Sequence, residues 1–583
     1  MIATDKYTSA GFTDEQQKYL VDVLSSLNLH RAFQGSSAKE EAPSYYGTPT
    51  EELSKEELAK YNTHPLDMWD QIVAHNNRNE IAEGITQFMF RHWGVFNVEP
   101  NSEGYMCRMR IPSCKLRGDQ FSMLGDLSEK VAGGYSHVTT RGSLQYRNIM
   151  PNQVLDLFSG LYDIGLSCKG SGADSARNIT ASPTAGFDPV ELIDLHQYGV
   201  TLSHRILNTR EFNGLPRKFN IAFDNAGSIS CVSDTNDIGF VATDIKDNDQ
   251  GVEAGVYCRI LLGGITGHED FARDTGIICR PEDTPEIADA MLRVYVEHGD
   301  RTNRKKARLK YVLDEHGFDW FIERTEEKLA DFGSGIELIR LPKAYDSPRP
   351  TINRQGHVGV HPQSQAGLNY VGIVLKVGHL TPDQMRGLGE IAQQYGKNDV
   401  RLTVWQNVII PHIADADLAA VQAKIEDLGL STNATSFAAG AIACTGKWAC
   451  KFGGAYTKQD TVKIVEHLES KFTSLDTPLN IHLTGCHHTC AQHYIGDIGM
   501  IGAAAKDGSE GYNVFLGGGT DDDIGLARLL INQVPASEIC ELTEQIVGGY
   551  LEQREGTETF LAFTRRHTEE QLQEMLLTEA QTA

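Results

Sequence analysis

Glu103-Gly104-Tyr105-Met106-Cys107-Arg108-Met109-Arg110-Ile111-Pro112, then a helix-forming stretch, then Val138-Thr139-Thr140-Arg141-Gly142-Ser143-Leu144-Gln145, is a plan that this chain carries twice. It recurs about 263 residues on, which is the signature of an internal duplication. Ala366 to Leu375 reads as a strand, and Thr381 to Tyr395 as an amphipathic helix opened by Thr-Pro-Asp. Val400 to Ile410 reads as a second strand carrying Arg401, Thr403 and Gln406. A further pair of copies, Tyr257 to Gly264 and Asn513 to Gly519, are strands that run into glycine turns, where backbone can approach a ligand closely. Together these predict an α+β fold of mixed α/β units in two homologous halves, with a shared site between them.

Working outward, residues 1–90 are polar and cap-rich and predict an N-terminal helical extension around the outside of the body. The repeated units fall at 91–165 and 346–428, and two larger mixed α/β units at 166–345 and 429–583. Asp346-Ser347-Pro348-Arg349-Pro350 is the linker signal between the halves. With 583 residues, 40% hydrophobic and 22% charged, the chain can bury several cores. A net charge of -25 argues against nonspecific nucleic-acid binding, so clusters of Arg and Lys must serve local purposes. No apolar run long enough for a membrane span and no targeting pattern after Met1 is visible, which predicts a cytoplasmic protein.

The strongest chemical signal lies in the second half. Cys444-Thr445-Gly446-Lys447-Trp448-Ala449-Cys450 and Cys486-His487-His488-Thr489-Cys490 offer two close thiol pairs that can surround one metal centre. Four thiolates suit a cubane iron-sulfur cluster, although tetrahedral zinc also accepts four and spacing alone does not name the metal. Disulfides are the weakest reading, because the 11 cysteines are odd in number and scattered. A noncatalytic iron-sulfur carrier or zinc scaffold would explain the thiols but leave the basic residues unassigned.

Over roughly residues 45 to 560 the chain resembles the sirohaem-containing nitrite and sulfite reductases, particularly those dependent on ferredoxin. The cysteine loops match that family's Cys-x5-Cys and Cys-x3-Cys pattern. Val138-Thr139-Thr140-Arg141, Ser175-Ala176-Arg177-Asn178, Leu215-Pro216-Arg217-Lys218-Phe219-Asn220 and Arg401-Leu402-Thr403-Val404-Trp405-Gln406-Asn407 match its other signatures in order. The resemblance implies a pseudo-twofold fold with ferredoxin-like half-domains, a 4Fe-4S cluster on Cys444, Cys450, Cys486 and Cys490, and a sirohaem sharing the Cys490 sulfur. It implies Arg108, Arg177, Lys218 and Asn220 as substrate-facing residues. It also implies that Arg141, Gln145, Gln406 and the run Arg301 to Arg308, with Arg304, Lys305 and Arg308, hold the sirohaem or support its pocket. Arg110, on the same strand face as Arg108 by period two, is expected to share or flank the site.

The implied activity is reduction of nitrite to ammonium, with sulfite as the alternative substrate. Sulfite-reducing relatives place a second lysine two residues after the first, whereas this chain has Lys218-Phe219-Asn220, one cation fewer and better suited to a monoanion. His487 and His488 depart from the Pro-Asn pair common in that loop, and Gly142-Ser143 from the Gln-Asn after the arginine of plant-type members. No Gly-x-Gly-x-x-Gly fingerprint is present, so electrons are expected from a small external carrier, ferredoxin by resemblance, with Lys447 and Lys451 as docking candidates. The protein is expected to be a monomer.

Overall fold

The computed structural model describes residues 43–97, 104–246, 251–341, 349, 352–434, 436–473, 475–578 and 581. The chain divides into two compact units, Met1–Leu53 and Ser54–Ala583. In the first, the strands Ser44–Tyr45 and Thr48–Pro49 pair antiparallel. Of the extension expected at 1–90, residues 1–42 lie outside the described residues, as does the 346–350 linker apart from Arg349.

In the second unit the helices Lys55–Asn62, Trp69–Arg78 and Gly84–Phe90 lead into the duplicated body. Ile72, Phe88, Met89 and Phe90 share one apolar core with the strand Tyr105–Arg108 and the helices Gly118–Val131 and Pro382–Tyr395. Two further cores fill the larger units, one from Ala176 to Leu338 and one from Phe437 to Leu576.

The helix expected at 381–395 forms because Thr381 caps it, its hydroxyl accepting from Gln384 N at 3.2 Å while the Gln384 side chain returns to the Thr381 N–H. The strand expected over 400–410 is instead two, Asp399–Leu402 and Val408–Ala414. Gln406 breaks it by adopting a left-handed φ of 61° in the intervening turn.

The duplication is written in the backbone. Left-handed residues recur as the pairs Ser113/Val377, Gly142/Gln406 and Asn148/His412, each separated by the same number of positions. The two half-domain sheets also exchange strands. Lys115–Arg117 of the first half pairs with Asp399–Leu402 of the second, and His379–Leu380 of the second pairs with Ser136–Val138 of the first. Each of these two five-stranded sheets therefore needs both halves. The helices Gly118–Val131 and Pro382–Tyr395 meet backbone to backbone, and a Cβ on Gly389 would lie 2.5 Å from the Gly118 carbonyl oxygen. Gly389→Ala is accordingly expected to destabilise the protein by about 1–3 kcal/mol, measurable as a lower thermal midpoint.

The larger units repeat one another as well. A six-stranded sheet contains the parallel strands Ile221–Asp224 and Ile238–Ile245, and a five-stranded sheet contains the parallel strands Ile481–Thr484 and Ile498–Ala504. Asp237 accepts from Asn220 N at 2.8 Å, and Asp497 accepts from Asn480 N at the same distance. No helix among the described residues is long and apolar enough to cross a membrane.

Candidate active site

The two cysteine loops meet through glycine. Cys444 follows the strand Ala441–Ala443, and its Sγ accepts from Gly485 N at 3.1 Å. Gly485 is so placed that a Cβ would lie 3.2 Å from the Cα atoms of both Gly446 and Gly453, so the loops close only without side chains there. Thr457 Oγ1 donates to the Cys444 carbonyl at 2.7 Å, and Gly454 N donates to the Gly485 carbonyl at 2.7 Å. Thr489 N closes the second loop on the Cys486 carbonyl at 3.1 Å, and Thr140 Oγ1 ties the Cys490 carbonyl to the first half at 2.9 Å.

Burial pushes the Cys486 thiol up to about 12, and the charges of Cys490, Cys444 and Cys450 push it the same way, so the four sulfurs share one electrostatic neighbourhood. Among the described residues no three His, Cys, Asp or Glu side chains converge closely enough for a single ion. A cubane holds its ligands at four separate corners and does not require that convergence.

Three cations gather near the second cysteine loop, Arg108 and Lys218 within the electrostatic reach of Cys490 and Arg177 beside them. Arg108 ends the strand Tyr105–Arg108, directly across from Gln145, with its guanidinium over the Phe96 ring at 5.0 Å. Arg177 and Lys218 sit on neighbouring segments stitched by Arg177 N to the Phe219 carbonyl at 2.7 Å and by a bridge between Ala176 and Phe219. Arg108, Arg177 and Lys218 are half-buried and Cys490 keeps an exposed surface, although protein is dense around all four. Burial lowers Lys218 to about 7, with Arg308 and Arg177 adding to the effect and Cys490 and Asp237 opposing it. Burial likewise lowers Arg108, opposed first by Cys490. Arg177 is lowered as well, by burial and then by Arg108. Among the described residues, none of the three side chains makes an ion pair or a side-chain hydrogen bond, and Arg177 keeps a buried nitrogen without a partner.

The other candidate residues are placed differently. Arg110 spends its guanidinium on backbone, donating to the Gly170 and Ala176 carbonyls at 2.7 and 2.6 Å and bracing the loop that carries Arg177. It therefore flanks the trio. Arg141 donates to Asn236 at 2.6 Å and to the Asn178 carbonyl at 3.0 Å, leaving its buried Nε without a partner. Gln145, buried beside Arg108, turns its amide oxygen to Arg147 Nε at 3.2 Å.

Gln406 clamps the halves, donating to the Val138 and Ala443 carbonyls at 3.2 and 3.1 Å and accepting from Ala443 N at 3.0 Å. It fixes the residue before Cys444. Arg308 forks onto Asp237 at 2.6 and 3.2 Å, the carboxylate that also holds the Asn220 N–H. Asn220 itself is half-buried, two residues from Lys218.

Arg304 is drawn into a protein network rather than the trio. Its guanidinium grips buried Asp174 at 2.7 and 2.8 Å, alongside Lys60 at 3.1 Å. Burial works against the Asp174 carboxylate, but Lys60 and Arg304 outweigh it and hold its pKa below the ordinary range. Lys305 is exposed.

At the cluster loops, His488 Nδ1 lies 3.3 Å from Cys486 Sγ and its ring is 4.3 Å from that of His487. Burial pulls His488 down to about 4, so it is neutral near pH 7. His493 is wholly buried against Tyr494 and Phe515, away from the loop surface, and burial holds it at about 3. Lys447 is paired with Glu510, whereas Lys451 is exposed beside Phe452, 5.5 Å from its ring centroid.

Three contributors escaped the sequence reading. Asp174 and Asp237 anchor the two ends of the Leu215–Asn220 segment, Leu215 N bonding the Asp174 carbonyl at 2.9 Å. Arg147 donates to Thr445 Oγ1 and the Ala449 carbonyl inside the first cysteine loop. Its only signal was period two from Gln145.

The residues fit the implied groups: four neighbouring thiols for a cluster, and unpaired enclosed guanidinium and ammonium groups for an anionic macrocycle and substrate. Comparison with known proteins agrees. The model described as nitrite and sulphite reductase 4Fe-4S domain matches residues 172–331 and 439–581, the latter spanning all four cysteines. The model described as nitrite/sulfite reductase ferredoxin-like half domain matches 98–164 and 361–428. The chain belongs to the nitrite and sulphite reductase family.

Within that family it is 32% identical over 511 residues to a ferredoxin–nitrite reductase of Synechococcus elongatus, covering 85% of this chain and 96% of that one. It is 28% identical over 550 residues to a ferredoxin sulfite reductase of Mycolicibacterium paratuberculosis, covering 90% of this chain and 96% of the relative. The solved structure of Mycobacterium tuberculosis NirA superposes with a TM-score of 0.80 at 26% identity, covering 89% of this chain and 97% of that one.

Proposed function

We propose that this chain catalyses the six-electron reduction of nitrite to ammonium at a sirohaem coupled to a 4Fe-4S cluster, with electrons from reduced ferredoxin. The observation that carries this reading is the trio Arg108, Arg177 and Lys218, gathered near the second cysteine loop without a carboxylate partner among the described residues. Burying unpaired charge costs several kcal/mol, about the scale measured when a buried pair loses one member, so the enclosure is built for anions the protein does not itself supply. The name of the Synechococcus elongatus relative supports nitrite and ferredoxin as substrate and donor.

Cys444, Cys450, Cys486 and Cys490 would hold the cluster, Cys490 shared with the sirohaem. Arg141 and Arg177, each with a buried nitrogen to spare, would face its carboxylates. Gln145, Arg308 and Gln406 would fix the pocket walls through the bonds described above, and Arg304 would brace them from behind, with exposed Lys305 at the rim. When bound, the sirohaem would supply an iron centre for the substrate and a source of electrons. Arg108 and Arg177 stay charged and neutralise the substrate oxygens. Lys218, held at about 7, carries a proton it can release to a departing oxygen, a role worth roughly two to four decades in rate. Nitrite-dependent oxidation of reduced ferredoxin, with ammonium counted as product, tests the reading. Oxidation without ammonium, or none at all, overturns it.

Position 220 would set the preference over sulfite, the substrate in the name of the Mycolicibacterium relative. Asn220→Lys adds a cation beside Lys218, and a nearby ammonium helps a dianion more than a monoanion. By Coulomb reasoning the sulfite-to-nitrite ratio of kcat/KM should rise roughly tenfold. An unchanged or lowered ratio, at equal sirohaem content, removes position 220 from substrate choice. For the donor, Lys451 is the freer of the two docking candidates, because Lys447 is matched by Glu510.

A further inference from the structure

Beside the first cysteine loop, at Trp448, lies a cavity of about 960 Å³, within the range of sites that take small organic molecules. Its walls are largely apolar and include Trp448, Phe437, Phe472 and Val462. Polar side chains interrupt them, among them Lys376, which is paired with Glu466, and His379, and two of the polar groups are enclosed. Lys458 is deeply enclosed and spends one donor on the carbonyl of Val377, a residue held at a left-handed φ of 47°. Among the described residues it pairs with no carboxylate, although an ammonium has further protons to offer. His137, only 7% exposed, also lines the cavity and carries a buried Nδ1 with no hydrogen-bond partner. The one carboxylate in the lining, Glu469, accepts from Ala438 N at 3.3 Å.

The geometry points to a binding site for an amphipathic aromatic monoanion, its rings among Trp448, Phe437, Phe472 and Val462 and its charged group on Lys458 and His137. The apolar walls favour a ring body and the enclosed, unpaired cation favours a negative head, a combination that water satisfies poorly. Burial lowers Lys458 to about 7, so an anionic guest supplies the counter-charge that the protein withholds. Trp448 lies between Cys444 and Cys450, so occupancy touches the loop that holds half of the thiols. The inference is independent of the substrate assignment, because it concerns a separate cavity.

The test uses the holoenzyme and two fluorescent probes with a shared ring body, 8-anilinonaphthalene-1-sulfonate and its uncharged parent N-phenyl-1-naphthylamine. The sulfonate should bind at one site per chain. Val462→Trp, which fills the cavity from a half-buried wall position, should abolish binding of both probes. Lys458→Met should weaken the sulfonate at least tenfold and leave the uncharged probe unchanged, with the visible spectrum of each variant showing that the cluster loops remain intact. Sulfonate binding that survives Val462→Trp, or equal responses of the two probes to Lys458→Met, would overturn the assignment. If Lys458→Met disturbs the spectrum, His137→Phe takes its place, and an undiminished preference for the sulfonate there would also overturn it.

Discussion

Cys490→Ser is expected to yield a protein depleted in both cluster and sirohaem, with nitrite turnover at background. The sulfur stands within electrostatic reach of Arg108 and Lys218, partly offsetting the lowering that burial imposes on both, and is itself pushed up by burial and by Cys444. A serine hydroxyl is a far poorer iron ligand than a thiolate, so one substitution should empty both centres. Iron, acid-labile sulfide and sirohaem measured in the purified variant check this. Cys540→Ser, at a half-buried position outside the loops, should keep all three and is the control. Full cofactor content in Cys490→Ser would reject the shared-ligand assignment.

Lys218→Met is expected to lower nitrite turnover by about two decades or more while the cofactors stay bound, since it removes a positioned acid and keeps most of the side-chain volume. The pH profile gives a second readout. A lysine is charged below its pKa, and burial has brought this one from 10.5 to about 7. Wild-type kcat/KM for nitrite should therefore hold below pH 7 and fall as pH rises through about 7, and that limb should vanish in the variant. Turnover close to wild type, or an unchanged alkaline limb, would take Lys218 out of the mechanism.

Much of this site could be read from the chain because its chemistry sits in short local motifs. The two cysteine loops, the Arg177 segment and Leu215–Asn220 each carry their signal within a few residues, and the structure brings them to one enclosure. The helix at 382–395 was legible for the same reason, since its cap and its apolar face are local.

What escaped depends on tertiary partners. The break at Gln406 follows from its clamp on Val138 and Ala443, and nothing in Arg401 to Asn407 announces a left-handed residue. The exchange of strands between half-domains is a pairing of Leu116 with Val400, residues far apart in sequence whose alternation fits either sheet. Arg304 read as a cofactor ligand because its charge was visible and that of Asp174, on another segment, was not attached to it. Duplication explains why the fold was still recoverable: each half repeats the same local instructions, so an error in one is corrected by its copy.

The visible absorption spectrum of the purified protein, recorded reduced and before and after adding nitrite, tests the central claim most directly. The account predicts sirohaem bands that shift on nitrite addition, and a shift that is weakened when Arg108 and Arg177 are each replaced by Met. A spectrum with only the broad absorption of an iron-sulfur cluster, or sirohaem bands indifferent to nitrite, would contradict it.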